Sequence, residues 1–156
     1  ALPLGLMALL PGLVRRVPID PRVVGLTGWE VVGRALLRIP IGTALFEEML
    51  FRGVLFGLAA RLGVNHAFWV SSLVFSLWHL APTSILLRTG VAGRSRLRVW
   101  GAFLGSIAAT FVGGLLFAVL RHYTDSVAGP VVLHAVVNSS ALVFTYLRWL
   151  RTKAEA

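Results

Sequence analysis

The sequence predicts an all-α protein, a polytopic transmembrane helix bundle with a buried polar cavity, and three observations carry that prediction. Hydrophobic residues make up 57% of the chain and charged ones only 13%, and a mean hydropathy of +0.83 does not describe a water-soluble domain. The apolar residues gather into four stretches of the roughly 20 residues that a helix needs to cross a bilayer. Ionisable side chains within those stretches are few, and they fall at helical spacing: Glu47-Glu48-x-x-x-Arg52, Phe75-x-x-x-His79 and His134-x-x-x-Asn138.

In chain order, the first apolar stretch, 1–14, is interrupted by Pro11 and Gly12 and is short for a crossing, so it reads as a partial span. The chain opens without a methionine or a charged leader, which makes it the expected core of something longer. Thr27-Gly28-Trp29-Glu30 has the capping-box pattern, and Glu30, Arg34 and Arg38 share the following turns with apolar residues. This predicts an amphipathic helix over 27–38 lying in the membrane interface and ending before Pro40. The spans are then expected at about 41–61, 66–87, 99–120 and 126–148. No internal repeat and no low-complexity linker divides the chain, so 1–156 is read as a single membrane-embedded domain. Gly53-x-x-x-Gly57 and Gly101-x-x-x-Gly105 are expected as close-packing surfaces between helices. Trp29, Trp69, Trp100 and Trp149 fit an aromatic belt near span ends, His66 and His122 are interfacial, and Trp78 is deep enough to line a site.

The formal charge of +9 does not point to nucleic acid, because the basic residues sit in short segments that flank apolar runs. Arg88, Arg94, Arg96 and Arg98 cluster in the segment 88–98, and Arg148, Arg151 and Lys153 close the chain. Four alternating spans put both groups, with Arg34 and Arg38, on one side, and leave mainly Arg61 and Arg121 opposite. The positive-inside rule makes the crowded side cytoplasmic. Lys153 is the only lysine among 15 basic residues, a bias that suggests a GC-rich bacterial genome and hence a bacterial plasma membrane. Cysteine is absent, which removes disulfides, thiolate metal sites and a cysteine nucleophile together.

Glu47 and Glu48 are the only carboxylates placed inside an apolar stretch; Asp20, Glu30, Asp125 and Glu155 lie in loops or near ends. A charged group near the middle of a spanning helix costs roughly 2.5–3.5 kcal/mol on insertion scales, so such residues mark function or a specific pairing. Depth tests whether the three clusters meet. At roughly 1.5 Å per residue, Glu47 lies about 10 Å from Pro40, His79 about 12 Å from Leu87, and Asn138 and His134 about 15 and 21 Å from Arg148. All four share a layer.

Spacing then assigns faces. Glu48 and Arg52, four apart, pair along one helix in a structural role. Glu47, turned about 100° from Glu48, is free to face His79. His134 and Asn138 present one common face.

Three such motifs, each on its own apolar helix and in this order, resemble the CPBP intramembrane proteases, a family that includes type II CAAX prenyl endopeptidases and bacteriocin-processing or immunity proteins. The surrounding text agrees: residues 47–53 read EEMLFRG, 71–80 read SSLVFSLWHL, and 111–138 resemble the family's glycine-rich helix, turn and final histidine helix. The resemblance covers roughly 41–145. Upstream the chain departs from it, since family members carry further spanning helices before the first motif.

The resemblance implies an intramembrane endopeptidase acting on a peptide or protein substrate, prenylated or not, from the cytoplasmic side. It implies Glu47 as general base with His79 helping to hold the attacking water, and His134 with Asn138 stabilising the oxyanion; Glu48, Arg52 and Phe75 support them. The chemistry is compatible, because a desolvated carboxylate suits a general base and hydrogen-bond donors in a low-dielectric cavity stabilise developing charge strongly. Zinc stays open: two histidines and a carboxylate, here Glu47, His79 and His134, are the ligand types of a catalytic zinc site. The missing His-Glu-x-x-His favours a metal-free mechanism. Two other readings remain. A non-catalytic scaffold or immunity protein could share the fold, whereas a proton-coupled transporter should have repeated halves and matched broken helices that this chain lacks.

Overall fold

A computed structural model describes residues 19–84 and 95–155. The expected partial span 1–14, the last residues of the second expected span and most of the basic segment 88–98 lie outside the described residues.

A short 3-10 turn, Pro21–Val23, leads into the first helix, and Thr27 caps it as the sequence predicts. The Thr27 N–H donates to Glu30 Oε2 at 2.8 Å and the Glu30 N–H donates back to Thr27 Oγ1 at 3.3 Å. These bonds hold the Glu30 carboxyl below the usual carboxylate range.

The helix so opened does not stop at Pro40. Helical backbone is continuous over residues 28–60, which form α1, so the expected interfacial helix and first span are one element. The reason lies in the hydrogen-bond pattern. Arg34–Arg38 and Pro40–Leu45 are π-helical, the pattern in which an N–H reaches back five residues, as Ile39 N–H does to the Arg34 carbonyl. In that pattern the N–H that Pro40 lacks would have gone to the Ala35 carbonyl. Ser139 Oγ donates to that carbonyl instead, at 2.7 Å. A partner helix thus supplies the bond that the proline cannot, and the break that the sequence predicts is repaired from outside α1.

α2, Val64–Trp78, follows a turn at Gly63, whose φ of 119° suits glycine. It ends at His79, which leaves the helix at φ −84° and ψ 0°; residues 80–84 are helical again. α3, Arg96–Thr124, and α4, Ala128–Ala154, are joined by a tight turn at Asp125 with φ 47°. Both contain windows long and apolar enough to cross a membrane. α2 packs along α3, the C-terminal half of α1 against α2, and its N-terminal half against α4. The polar clusters fall inside this bundle.

Burial is inverted relative to a water-soluble protein. Leu36, Leu37, Met49, Val54, Leu73, Leu104 and Leu116 face outward, while Glu48, Arg52, Ser71, Ser72, Thr110 and His134 are fully buried. Trp29, Trp69 and Trp100 are exposed. Aromatic rings fill the centre, where Phe51, Phe75 and Phe117 form the core with Leu55 and Val137 against them.

Neither expected glycine pair makes a close approach. A Cβ at Gly57, Gly101 or Gly105 would meet open space, and one at Gly53 only ordinary contact. Between α2 and α3 the tight glycine is Gly114, where a Cβ would lie 3.2 Å from the Ser72 Cα and 3.3 Å from Arg52 Nη2. The surface that lets α2 and α3 close up is therefore built from Gly114 with Ser72 and Ser76, a mixed set without the regular four-residue glycine spacing.

Candidate active site

Three helices deliver the site. Glu47 and Glu48 occupy a single α-helical turn of α1, Phe46–Glu48, between the π-helical stretches Pro40–Leu45 and Met49–Leu55. Such irregular turns recur at functional sites because they re-aim neighbouring side chains. His79 sits where α2 unwinds, and His134 and Asn138 lie one turn apart on α4.

Glu48 is the hub of the buried network. Arg52 Nη1 donates to Glu48 Oε1 at 3.1 Å, as the four-residue spacing predicts, and His134 Nδ1 donates to the same oxygen at 2.8 Å. Arg52 Nη2 donates to the Gly114 carbonyl at 3.0 Å. Its guanidinium lies 4.2 Å from the centroid of the Phe75 ring and 5.2 Å from that of Phe117, positions in which aromatic faces stabilise a desolvated cation. Four-residue spacing predicts the Glu48–Arg52 pair but not its bond to His134. The link spans 86 residues and leaves no signal in local spacing.

Both histidine rings are oriented through Nδ1. His79 Nδ1 lies 2.8 Å from the Phe75 carbonyl, which can only accept, so the proton is on Nδ1 and Nε2 carries the lone pair in the neutral ring. His134 Nδ1 donates to the Glu48 carboxylate. Each Nε2 then faces Glu47: the Glu47 Oε2 atom is 3.8 Å from His79 Nε2 and 3.8 Å from His134 Nε2. Glu47, His79 and His134 therefore do come together. Asn138 is buried on the same side of α4, with no hydrogen bond to the other three among the described residues.

Phe75 packs against both histidines. Its ring centroid is 4.6 Å from that of His79 and 5.9 Å from that of His134. Phe117, which the motifs did not single out, stacks on the His134 imidazole at 5.1 Å and 18°. Trp78 packs its ring edge against Phe51 and is half exposed.

At 3.8 Å the Glu47 carboxylate is beyond direct hydrogen-bonding reach of either imidazole. Glu47 Oε2, His134 Nε2 and Asn138 Oδ1 are all buried without a hydrogen-bond partner among the described residues. A small polar species lying off the line between them, about 2.8 Å from each, can satisfy carboxylate and imidazole together. For zinc the donor types are right but the spread is wide. Ligands about 2.1 Å from a tetrahedral ion stand roughly 3.4 Å apart, and among the described residues no group of three has the spacing of a formed metal site. Zinc would need the three side chains to draw in, so no step is derived through it.

The profile of the family described as Type II CAAX prenyl endopeptidase Rce1-like matches residues 30–140, a stretch that includes Glu47, Glu48, Arg52, Phe75, His79, His134 and Asn138. No curated protein and no solved structure matches the chain.

Proposed function

Since the chain belongs to the type II CAAX prenyl endopeptidase Rce1-like family, a family of membrane proteases, we propose that it is an intramembrane endopeptidase in which Glu47 activates water. The observation that carries this reading is the placement of Glu47 Oε2 at 3.8 Å from both Nε2 atoms. A water there donates one hydrogen to Glu47 and the other to the His79 lone pair, which leaves an oxygen lone pair directed at a peptide carbonyl. Glu47 takes the proton as the carbon–oxygen bond forms. It returns that proton to the departing amide nitrogen as the carbon–nitrogen bond breaks.

His134 and Asn138 stabilise the oxyanion in this proposal, and the hydrogen bonds impose a condition on His134. With Nδ1–H committed to Glu48, Nε2 donates only when the ring carries both protons. A ring in that form would make His134 and Arg52 two cations matched by the two carboxylates Glu47 and Glu48. Asn138 donates through its amide nitrogen. Glu48 is thus a positioning residue for His134 as well as a partner for Arg52.

The substrate is a peptide or protein segment reached from the cytoplasmic side, and the family description makes a prenylated carboxy-terminal peptide the first class to test. The spans α1 to α4, with the basic ends on the cytoplasmic face, fit a multi-pass protein of a bacterial plasma membrane; the arginine distribution supports this topology.

The test is cleavage of a quenched-fluorescent peptide library, with prenylated members, by detergent-purified protein, compared with Glu47→Gln and with the parent plus a strong zinc chelator. Cleavage lost only in the variant is the expected result. Loss with chelator as well would make zinc part of the site, and no cleavage by folded parent protein would overturn the enzymatic reading in favour of a scaffold.

A further inference from the structure

The π-helical stretch Met49–Leu55 follows directly on the turn that carries Glu47 and Glu48. At its far end the Phe56 N–H reaches the Phe51 carbonyl, five residues back, and the Gly53 carbonyl, three back. It passes over the Arg52 carbonyl, four back, which is the partner that an α-helix would give it. Arg121 Nε on α3 donates to that Arg52 carbonyl instead, at 3.2 Å. The Phe51 carbonyl also receives Ser71 Oγ from α2, at 3.0 Å. Two neighbouring helices thus bond the part of α1 whose own ladder is out of α-helical register.

Arg52 is attached to α3 at both ends. Its Nη2 donates to the Gly114 carbonyl at 3.0 Å, and its own carbonyl accepts from Arg121. Gly114 and Arg121 are seven residues apart, about two turns, so one face of α3 carries both bonds. The other end of the Arg121 side chain meets Asp125 Oδ1 through Nη1 at 2.8 Å, and the Asp125 side chain is almost fully exposed. A pair so exposed contributes little. In the topology proposed above, this end of α3 lies away from the cytoplasm, where the positive-inside rule gives no reason for an arginine. The bond to the Arg52 carbonyl gives one.

We propose that Arg121 is a positioning residue for the active site, because its hold on the Arg52 carbonyl fixes the register of Met49–Leu55 and with it the chain from Arg52 through Glu48 to His134. The inference rests on the endopeptidase reading and adds a residue to it. Each link of the chain is a direct contact: Arg52 Nη1 lies 3.1 Å from Glu48 Oε1, and His134 Nδ1 lies 2.8 Å from the same oxygen. His134 Nε2 is thereby turned towards Glu47. Without the Arg121 donor, the Arg52 carbonyl is free to take the Phe56 N–H, and the stretch relaxes towards the α-helical register. Arg52 then rotates relative to Glu47 and Glu48, its guanidinium moves off Glu48, and the carboxylate that orients His134 moves with it.

The experiment compares Arg121→Met and Arg121→Gln in the full chain, purified in detergent. Both side chains reach the chain position of Arg121 Nε, where glutamine keeps an N–H donor and methionine has a methyl group. Neither carries the charge that pairs with Asp125. A misplacement of about 1 Å at a reacting group costs up to about 100-fold, so kcat in Arg121→Met should fall by about 10–100-fold with KM unchanged. Arg121→Gln should rescue kcat, and Asp125→Asn, which breaks only the exposed pair, should match the parent. A folded Arg121→Met with the parent's kcat overturns the proposal, as does a loss that appears in KM alone. Arg121→Gln and Asp125→Asn keep the test open where Arg121→Met does not fold, since a loss of the same size in either overturns the proposal in favour of charge.

The ring-nitrogen NMR signals of the histidines give a readout that needs no substrate. The His134 signals, assigned by their absence in His134→Gln, should shift in Arg121→Met and stay in place in Arg121→Gln. His134 signals unmoved in Arg121→Met overturn the positioning role even in an active enzyme. Failure of the parent to cut any peptide overturns the endopeptidase reading instead, and the His134 shift then decides the positioning by itself.

Discussion

His134 Nδ1 lies 2.8 Å from Glu48 Oε1, the same carboxylate oxygen that Arg52 Nη1 meets at 3.1 Å. One carboxylate thus holds a helix-local cation and a histidine from the last helix of the bundle, and it fixes which nitrogen of that histidine faces Glu47.

Glu48→Gln keeps the volume of the side chain and removes the charge that both partners share. Because groups behind a functional imidazole typically contribute 10–100-fold, kcat should fall by about that factor with KM little changed. Steady-state kinetics check this alongside thermal unfolding in detergent. A proportional rise in KM instead would indicate general loosening of the site rather than loss of imidazole positioning.

Glu47→Gln removes the proposed base and retains the shape. General-base catalysis is worth on the order of 10²–10⁴-fold, so kcat should fall by that range while the unfolding temperature stays at the parent's. Parent-like turnover by the variant would rule out Glu47 as the base.

Arg52→Ala should act on stability. Arg52 and Glu48 are both fully buried, and breaking a buried pair from one side costs about 3–5 kcal/mol because the remaining charge is uncompensated. The Gly114 carbonyl loses its donor as well. Low yield and a lowered unfolding transition are the expected readouts; a stable but inactive variant would move Arg52 from support to chemistry.

The burial and clustering of the candidate site residues were more legible in the sequence than the packing around them. Glu47, His79, His134 and Asn138 announce themselves because an ionisable or amide side chain at the depth of the hydrocarbon is costly, and because helical rise converts position into depth. Helical spacing also predicts the Glu48–Arg52 pair. What it does not encode is contact between helices. The Glu48–His134 bond, the stacking of Phe117 on His134 and the close approach at Gly114 depend on how α1, α3 and α4 rotate about their axes. Pro40 illustrates the same limit, since its local rule ends a helix and a hydroxyl 99 residues further on removes the reason to end it.

Gly114 and Gly101 lie on the same helix and separate packing from spacing. Gly114→Ala sets a Cβ 3.2 Å from the Ser72 backbone and 3.3 Å from Arg52 Nη2, so α2 and α3 must part or Arg52 must move, at a cost of about 1–3 kcal/mol. Gly101→Ala meets open space and should be neutral or slightly stabilising. Unfolding of the two variants side by side decides it, and equal effects would mean that α2 and α3 are not in the contact described.

Ser139 and Pro40 offer a test of the repaired helix. Ser139→Ala leaves the Ala35 carbonyl buried beside a residue that has no N–H to give, and an unsatisfied buried carbonyl costs about 1–3 kcal/mol. Pro40→Ala restores an N–H to α1 five residues from that carbonyl, so the two substitutions should be coupled: the loss on removing the Ser139 hydroxyl should shrink when residue 40 is alanine. A double-mutant cycle on unfolding free energy measures this, with an expected coupling of about 1 kcal/mol. Strict additivity would mean that Ser139 does not stand in for the missing N–H. The continuity of α1 would then need another cause.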